Sequence, residues 1–200
     1  MSNNNDSQEY QELAGISLSL KSEYVGDNSQ WKGSPFEWIR QCSPRAKGAI
    51  GEKIVSGWLA MHEFNVQRSP DSQADRIIEG LRVEIKYSML WDNGTYLFEQ
   101  IRDQNYDFAI FLGVSPFDAH CWVVPKSDLM RLWKSEHRIS SQHGGHDGGD
   151  TAWVRLSPSG NSAVDDNALA EYGNGLKDAL ERISALTGYS FAPVSQSVEL

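Results

Sequence analysis

The chain has 200 residues, of which 40% are hydrophobic and 22% charged, and its formal net charge is −9. No apolar run approaches the roughly 18 residues of a membrane-spanning helix, and the polar start MSNNNDSQEY is not typical of a signal peptide. We therefore expect a cytoplasmic protein without a membrane segment, built as one α/β domain with a substantial core.

A helix is predicted over about 44–63. Ser43 is a typical N-cap and Pro44 a typical first helical residue, and apolar residues follow at helical spacing. Within this helix Glu52 shares a face with small or apolar neighbours, namely Gly48, Ala49, Val55 and Ser56. Because a buried acid without a partner is costly, Glu52 either reaches solvent or points toward a metal or a metal-bound water, and we favour the second.

A β-hairpin is predicted next, with Glu79 and Gly80 as its two-residue turn. This turn pairs Ile78 with Leu81, Ile77 with Arg82, Arg76 with Val83, and Asp75 with Glu84. Like charges opposite one another in an antiparallel pair are destabilising. The register therefore suggests that a cation lies between Asp75 and Glu84.

The second strand of this hairpin has two different faces. Apolar Val83, Ile85 and Tyr87 alternate with polar Arg82, Glu84, Lys86 and Ser88. Lys86 consequently points to the same side as Glu84. The alternative interpretation is an ordinary solvated face on which the lysine neutralises a glutamate.

Further elements follow along the chain. We predict a short helix at YLFEQIRDQ, a buried strand at DFAIFLGV, a strand at HCWVVP, a helix at KSDLMRLW and a strand at TAWVRL. Residues 166–186 have apolar side chains at helical spacing, and the last dozen residues are expected to be a disordered tail. From residue 44 the order is thus helix, strand, strand, helix, strand, strand.

Over residues 44–134 this order, with its acids and lysine, resembles the PD-(D/E)xK nuclease superfamily and most of all its type II restriction endonuclease-like members. On that resemblance Asp75 is the metal-binding aspartate, and Glu84, Ile85 and Lys86 form the ExK element. The implied fold is a restriction endonuclease-like α/β core, a central mixed sheet flanked by helices, with additions at both ends. The expected divisions are a polar N-terminal region at 1–30, the nuclease core at 31–134, a C-terminal addition at 135–187 and a flexible tail at 188–200.

Other residues also fit the resemblance. Glu52 corresponds to the additional acid on the first core helix, and Ser88 to the small hydroxyl residue that follows the lysine in many members. The family's glutamine after the lysine corresponds to Gln100 or Gln104, and the resemblance makes Ser88 and Gln100 expected DNA contacts.

The motif's aspartate has one alternative, because Pro70-Asp71 also precedes the hairpin. Asp71 lies in the turn-like run SPDSQ, whereas Asp75 begins an apolar strand and faces Glu84. We therefore prefer Asp75.

The resemblance implies direct hydrolysis of DNA that leaves a 5′-phosphate. Asp75, Glu84 and the Ile85 carbonyl would bind Mg²⁺, with Mn²⁺ as a substitute, and Glu52 would hold a second ion or its water shell. Such an ion polarises the phosphoryl oxygen and activates a bound water. Lys86 would orient that water or stabilise the negative charge on phosphorus.

A net charge of −9 is unusual for a DNA-binding protein, because Lys and Arg supply much of the affinity for phosphate. The acidity is concentrated at the ends, since residues 1–30 and 157–200 contribute −4 each, whereas residues 32–53 hold five bases and two acids. At the predicted helix start, Arg45 and Lys47 are candidates for binding a phosphate together with the helix N-terminus. A solvated basic helix end is the alternative.

A glycine-rich stretch, HRISSQHGGHDGGD, contains three histidines and two aspartates: His137, His143, His146, Asp147 and Asp150. Without cysteines or a helix to set the ligand spacing, a zinc site is not favoured. The default is a flexible loop. The resemblance suggests a recognition element in which His143 and His146 contact base edges.

These features predict a Mg²⁺-dependent endonuclease of restriction type that cuts double-stranded DNA. One active site per chain favours a homodimer, and a DNA methyltransferase is a candidate partner. The same site would serve a repair, resolvase or phage-defence effector nuclease. An inactive fold that binds DNA or a protein is a third option, disfavoured by the intact acids and lysine.

The isolated Cys42 and Cys121 are expected to be reduced core thiols.

Overall fold

The structure is a computed structural model, which describes residues 11–17, 29–141 and 151–190. The chain divides into two compact units, residues 1–32 and 33–200. In the first unit the described residues form a short helix at 11–17, α1, and a 3₁₀ turn at Ser29–Trp31. The second unit contains all of the β-structure within the described ranges.

Helix α2, Pro44–Met61, confirms the helix predicted over 44–63. The Ser43 hydroxyl caps it by accepting a hydrogen bond from the Ala46 N–H. Proline suits the first position because its missing N–H would have had no partner within the helix. A 3₁₀ helix at Glu37–Gln41 precedes α2.

The described strands form a six-stranded sheet in the order β1-β2-β3-β5-β6-β9 and a three-stranded sheet in the order β4-β8-β7. The first contains β1 (Val66–Arg68), β2 (Arg76–Ile78), β3 (Leu81–Met89), β5 (Phe108–Val114), β6 (Ala119–Pro125) and β9 (Gly173–Asn174). The second contains β4 (Tyr96–Ile101), β7 (Ser140–Ser141) and β8 (Ala152–Leu156).

Strands β3 and β5 are parallel, and the other neighbours in the six-stranded sheet are antiparallel. Helix α2 packs against β3, and helix α5, Leu176–Thr187, packs against β6. The protein therefore has the expected α/β class, a central mixed sheet flanked by helices.

The predicted hairpin register is confirmed over three pairs. The ladder joins Ile78 to Leu81, Ile77 to Arg82 and Arg76 to Val83. The turn residues Glu79 and Gly80 both have positive φ, +49° and +86°, as a type I′ turn requires, and glycine adopts this conformation without strain. The fourth predicted pair, Asp75 with Glu84, is not formed, because the ladder ends one pair earlier.

The helix predicted at YLFEQIRDQ is wrong, since these residues form strand β4. Tyr96, Phe98 and Ile101 are buried, whereas the consecutive residues Glu99 and Gln100 are both exposed. A bulge between Phe98 and Ile101 shifts the register with β8 and puts Gln100 at a φ of +55°. This extra residue interrupts the period of two along the strand, so the sequence mimicked a helical pattern.

An aromatic layer joins the two sheets. The Phe98 ring of β4 lies 5.2 Å from the Phe111 ring of β5 and 6.3 Å from the Trp122 ring of β6, centroid to centroid. Every residue of β5 is buried, as predicted for DFAIFLGV, and HCWVVP forms β6. The layer fixes β4 across the sheet face next to β3.

The C-terminal elements depart from the predictions at one point. KSDLMRLW is helical, as α3 (Lys126–Met130) and a following π-helical turn, and TAWVRL forms β8. Residues 166–186 are not one helical stretch but α4 (Asp166–Leu169), a 3₁₀ turn, β9 and then α5. The break falls at Gly173, whose φ is +142° and which pairs with Trp122 of β6.

Both cysteines are free thiols; Cys121 is buried, whereas Cys42 is only half-buried and is not a core thiol as expected. Within the described ranges, no helix is long and apolar enough to cross a membrane. The glycine-rich loop at 142–150 and the tail beyond residue 190 lie outside the described residues.

Candidate active site

A cavity of about 860 Å³ opens between α2, β3 and β4, and we call it the β3 cavity. Residues Glu84 to Met89 of β3 line it without interruption. Its acidic lining residues are Glu52, Asp75, Glu84, Asp92 and Glu99, and its basic ones are Arg40, Arg45, Lys47 and Lys86. The acids expected to bind a metal and the bases expected to bind phosphate therefore line one cavity.

Asp75 lies one residue before the ladder between β2 and β3. Its N–H donates to the Val83 carbonyl at 2.9 Å, and its Oδ2 accepts a hydrogen bond from the Ile85 N–H at 2.7 Å. These two bonds replace the predicted pairing with Glu84. They hold the Asp75 carboxylate against the edge of β3 rather than across the ladder.

The Ile85 carbonyl is directed to the same edge of β3. In an extended strand the N–H and C=O of one residue point to the same side. Because the Ile85 N–H meets Asp75, its carbonyl also points away from β5 and toward the cavity that Ile85 lines. Beyond Val83, this edge of β3 has no strand neighbour within the described residues.

Glu84 and Lys86 form an ion pair, with Nζ 2.8 Å from Oε1. Glu84 is only 7% exposed, so this is not a solvated hairpin face. Burial raises the pKa of Glu84, the Lys86 charge opposes that shift, and the Asp75 charge adds to it. A buried carboxylate with a raised pKa next to a second acid favours a cation in its vicinity.

Glu52 is paired with Arg76, a residue that the sequence analysis placed only in the hairpin ladder. Arg76 Nη1 lies 3.1 Å from Glu52 Oε2. Burial and the neighbouring Asp75 charge raise the pKa of Glu52, and Arg76 opposes the shift. Glu52 is therefore half-buried beside the cavity acids with an arginine as its direct partner, and its expected role toward a metal stays a prediction.

The donor atoms at the edge of β3 fit a hard divalent cation. Mg²⁺ prefers oxygen ligands and is usually held by one or two carboxylates together with waters and substrate phosphates. Asp75, Glu84 and the Ile85 carbonyl supply such oxygens. In the described part of the chain, no three His, Cys, Asp or Glu side chains converge closely enough to ligate one ion. A two-carboxylate site completed by water is therefore the arrangement that these residues fit.

The basic side of the cavity lies at the start of α2. Arg45, Lys47 and Gly48 line it there, together with Arg40 from the preceding 3₁₀ helix. Helix N-termini favour anions because their first N–H groups have no partner within the helix. Basic side chains and a helix N-terminus thus face the same space as the acids.

Two other expected DNA contacts, Ser88 and Gln100, also line the cavity. The Ser88 hydroxyl is buried; it accepts from the Leu97 N–H at 3.0 Å and so ties β3 to β4. Gln100 is exposed and sits at the bulge of β4, where its backbone conformation is unusual for a residue other than glycine.

The remaining candidate residues do not line the β3 cavity or lie outside the described residues. Asp71 is exposed and pairs with Arg82, and its carboxylate lies outside the lining of the β3 cavity. The Gln104 side chain donates to the Ser72 carbonyl, also outside that lining. His143 and His146 belong to the loop outside the described residues, so their expected role stays a prediction.

Four charged features in or beside the cavity were not predicted from the sequence: Arg40, Asp92, Glu99 and the Arg76–Glu52 pair. Arg40 was counted only as part of a basic segment. Arg76 alternates with Ile77 as an ordinary strand residue, and its partner is 24 positions away in the chain. In the sequence, the only indication of a role for Arg76 was its position directly after Asp75.

Comparison with known proteins gives little further identification. No protein-family model matches the chain, and no curated protein matches it. Among solved structures, the bacterial homing endonuclease I-Ssp6803I aligns with a TM-score of 0.46 and 17% identity, over 74% of this chain and 99% of that chain. The assignment of a function therefore depends on the residues of the β3 cavity.

Proposed function

We propose that this protein is a Mg²⁺-dependent DNA nuclease of the PD-(D/E)xK type and that phosphodiester bonds are hydrolysed in the β3 cavity. One observation carries the proposal: Asp75, Glu84 and Lys86 line one cavity, whose basic rim lies at the start of α2. An acid pair alone is a weak indication. An acid pair with a lysine, a directed carbonyl and phosphate-binding bases has the parts that phosphodiester hydrolysis needs.

Within this cavity, Asp75, Glu84 and the Ile85 carbonyl would hold Mg²⁺ or Mn²⁺. A bound ion polarises the phosphoryl oxygen and lowers the pKa of a bound water. Lys86, which lies beside Glu84 on β3, would orient the attacking water and stabilise negative charge on the phosphate oxygens. Glu52, paired with Arg76, adds negative charge near the ion.

Substrate binding would use the basic rim. Arg45, Lys47 and Arg40 approach the cavity from the α2 side, where they can neutralise phosphates on either side of the scissile bond. This local arrangement matters more than the net charge of −9, since phosphate contacts act at short range in physiological salt.

Restriction-type cleavage of double-stranded DNA by a homodimer is the finer proposal, supported by the resemblance of the motif and its spacing to type II enzymes. Each chain supplies one acid pair and one lysine, so two chains are needed to cut both strands at once. A DNA methyltransferase would then be the partner that protects the host DNA.

Incubating the purified protein with plasmid DNA, with and without Mg²⁺, tests the function. Discrete linear fragments support restriction, whereas nicking or a preference for branched DNA supports a repair, resolvase or phage-defence effector nuclease. Absence of cleavage in both Mg²⁺ and Mn²⁺ contradicts the proposal and leaves a DNA- or protein-binding module. The Glu84→Gln variant, purified in parallel, controls for contaminating nucleases.

A further inference from the structure

Arg76 connects Glu52 to the acid pair, and three separate groups hold its guanidinium. Nη1 lies 3.1 Å from Glu52 Oε2 and donates to the Asp75 carbonyl at 2.7 Å, and Nε donates to Ser56 Oγ at 2.9 Å. Glu52 and Ser56 belong to α2, whereas Asp75 directly precedes β2. Arg76 therefore cannot leave Glu52 without losing bonds to both elements.

The carboxylates beside the β3 edge differ in how firmly their partners are held. The Lys86 ammonium meets Glu84 at the end of a flexible four-carbon stem. The Arg76 guanidinium is planar, permanently charged and fixed by the α2 and Asp75 contacts. A divalent cation consequently displaces Lys86 from Glu84 more readily than it displaces Arg76 from Glu52.

We infer that Arg76 restricts the site to a single divalent cation by keeping the Glu52 carboxylate out of the ligand set. The inference rests on the proposed nuclease function. Two-ion sites need additional acidic ligands, because the ions lie only about 3.5–4 Å apart and repel each other. Glu52 is the acid that a second ion would use, and Arg76 puts a fixed positive charge against it. Arg76 is thus a positioning residue.

Counting bound Mn²⁺ tests this directly, using purified protein without DNA and electron paramagnetic resonance to measure the free ion. We expect about one ion per chain for the wild type, about two for Arg76→Met, and about one again for Arg76→Met combined with Glu52→Gln. Arg76→Lys keeps the charge and stays at about one. Arg82→Met is a matched control, because Arg82 lies on the same hairpin but pairs with Asp71 outside the cavity.

Thermal melting shows which variants fold. If Arg76→Met does not fold, the number of Mn²⁺ ions bound by Glu52→Gln tests the inference. The inference requires this variant to bind about one ion per chain. A fall to none would mean that Glu52 is itself a ligand and would overturn the inference.

Other outcomes separate the inference from the proposed function. Two ions in the wild type, or one ion in a folded Arg76→Met variant, overturn the role of Arg76 and leave a metal-dependent nuclease in place. No Mn²⁺ binding by the wild type contradicts both. Plasmid cleavage that persists without any divalent cation contradicts the proposed metal-dependent function. It also contradicts the role of Arg76, which depends on that function.

Discussion

The protein contains two pairs of neighbouring carboxylates that are stabilised in opposite ways. Asp165 and Asp166 are each 3% exposed, and Asp166 accepts four hydrogen bonds, from the N–H groups of Ser157, Ser162 and Ala163 and from the Ser157 hydroxyl. Asp75 and Glu84 instead line an open cavity and depend on one backbone N–H and one lysine.

The difference separates Asp166, an acid that maintains the fold, from Asp75 and Glu84, acids available for chemistry. Donors from the segment 157–163 surround Asp166, which leaves its oxygens little capacity for a ligand. A carboxylate oxygen accepts about two hydrogen bonds, so Asp75 and Glu84 keep free lone pairs toward the cavity. Adjacent acids in a sequence therefore carry functional meaning only once their donors are known.

Substitutions of the cavity acids Asp75 and Glu84, which we call the open pair, or of Lys86 should have the largest effect. We expect this effect on activity and not on stability. Asp75→Asn, Glu84→Gln and Lys86→Ala should each lower Mg²⁺-dependent cleavage by roughly 10³-fold or more, because each removes a ligand or the charge that stabilises the phosphate. Single-turnover cleavage with a melting curve measures this. DNA binding without metal should be retained, or improved when an acid is removed.

Asp71→Asn is the control for the choice of aspartate, because Asp71 lies outside the cavity. It should cleave like the wild type. Full activity in Asp75→Asn together with an inactive Asp71→Asn would move the motif to Pro70-Asp71.

Asp165 and Asp166, which we call the closed pair, lie outside the cavity. A substitution of Asp166 should lower stability and not affect cleavage directly. Asp166→Asn should lower the free energy of unfolding by about 3 kcal/mol, because the amide nitrogen replaces an acceptor with a donor among groups that already donate. Urea denaturation of Asp166→Asn beside Asp75→Asn measures the contrast. Equal stability of the two variants would show that the hydrogen bonds to Asp166 do not maintain the fold.

A substitution of Gly51 should affect both stability and the active site, because this glycine lets α2 pack closely against β3. A Cβ at this position would lie 2.2 Å from the Tyr87 Cβ, so Gly51→Ala should cost about 1–3 kcal/mol and displace Glu52 from the cavity acids. Gly57→Ala, on the same helix with nothing within 4 Å, should stabilise by about 0.5–1 kcal/mol. Denaturation midpoints compare the two variants, and destabilisation by both would contradict the close-approach explanation.

The last prediction concerns the pH dependence of stability. Burial raises the pKa of Asp165 from 3.8 to about 6. Between these values the folded state binds a proton that the unfolded state lacks, so the free energy of unfolding falls as pH rises through this window. Asp165→Asn should therefore flatten the profile and add about 1–2 kcal/mol at pH 8, as measured by denaturation from pH 4 to 8. An unchanged profile would contradict this role of burial.

The parts of the site predicted from sequence are local ones. The Ser43 cap and Pro44 fixed the start of α2, and the Glu79-Gly80 turn with alternating apolar residues fixed the first three pairs of the hairpin. Each depends on residues within one or two turns of chain, where periodicity and backbone preference decide the structure.

The parts that were missed depend on contacts between distant segments. The bulge at Gln100 hid the strand character of β4, and the three-stranded sheet forms only because β4 pairs with residues more than 50 positions later. The Arg76–Glu52 pair joins β2 to α2, and no local pattern encodes it. Tertiary context therefore determined which side chains surround Asp75, Glu84 and Lys86.

Anomalous diffraction from crystals soaked in Mn²⁺ compares the two carboxylate pairs most directly. We expect a peak within about 2–2.5 Å of oxygens from Asp75, Glu84 and the Ile85 carbonyl, and none at Asp165 and Asp166. A peak at the closed pair, or none at the open pair in saturating Mn²⁺, would contradict the assignment of the β3 cavity as a metal-dependent active site.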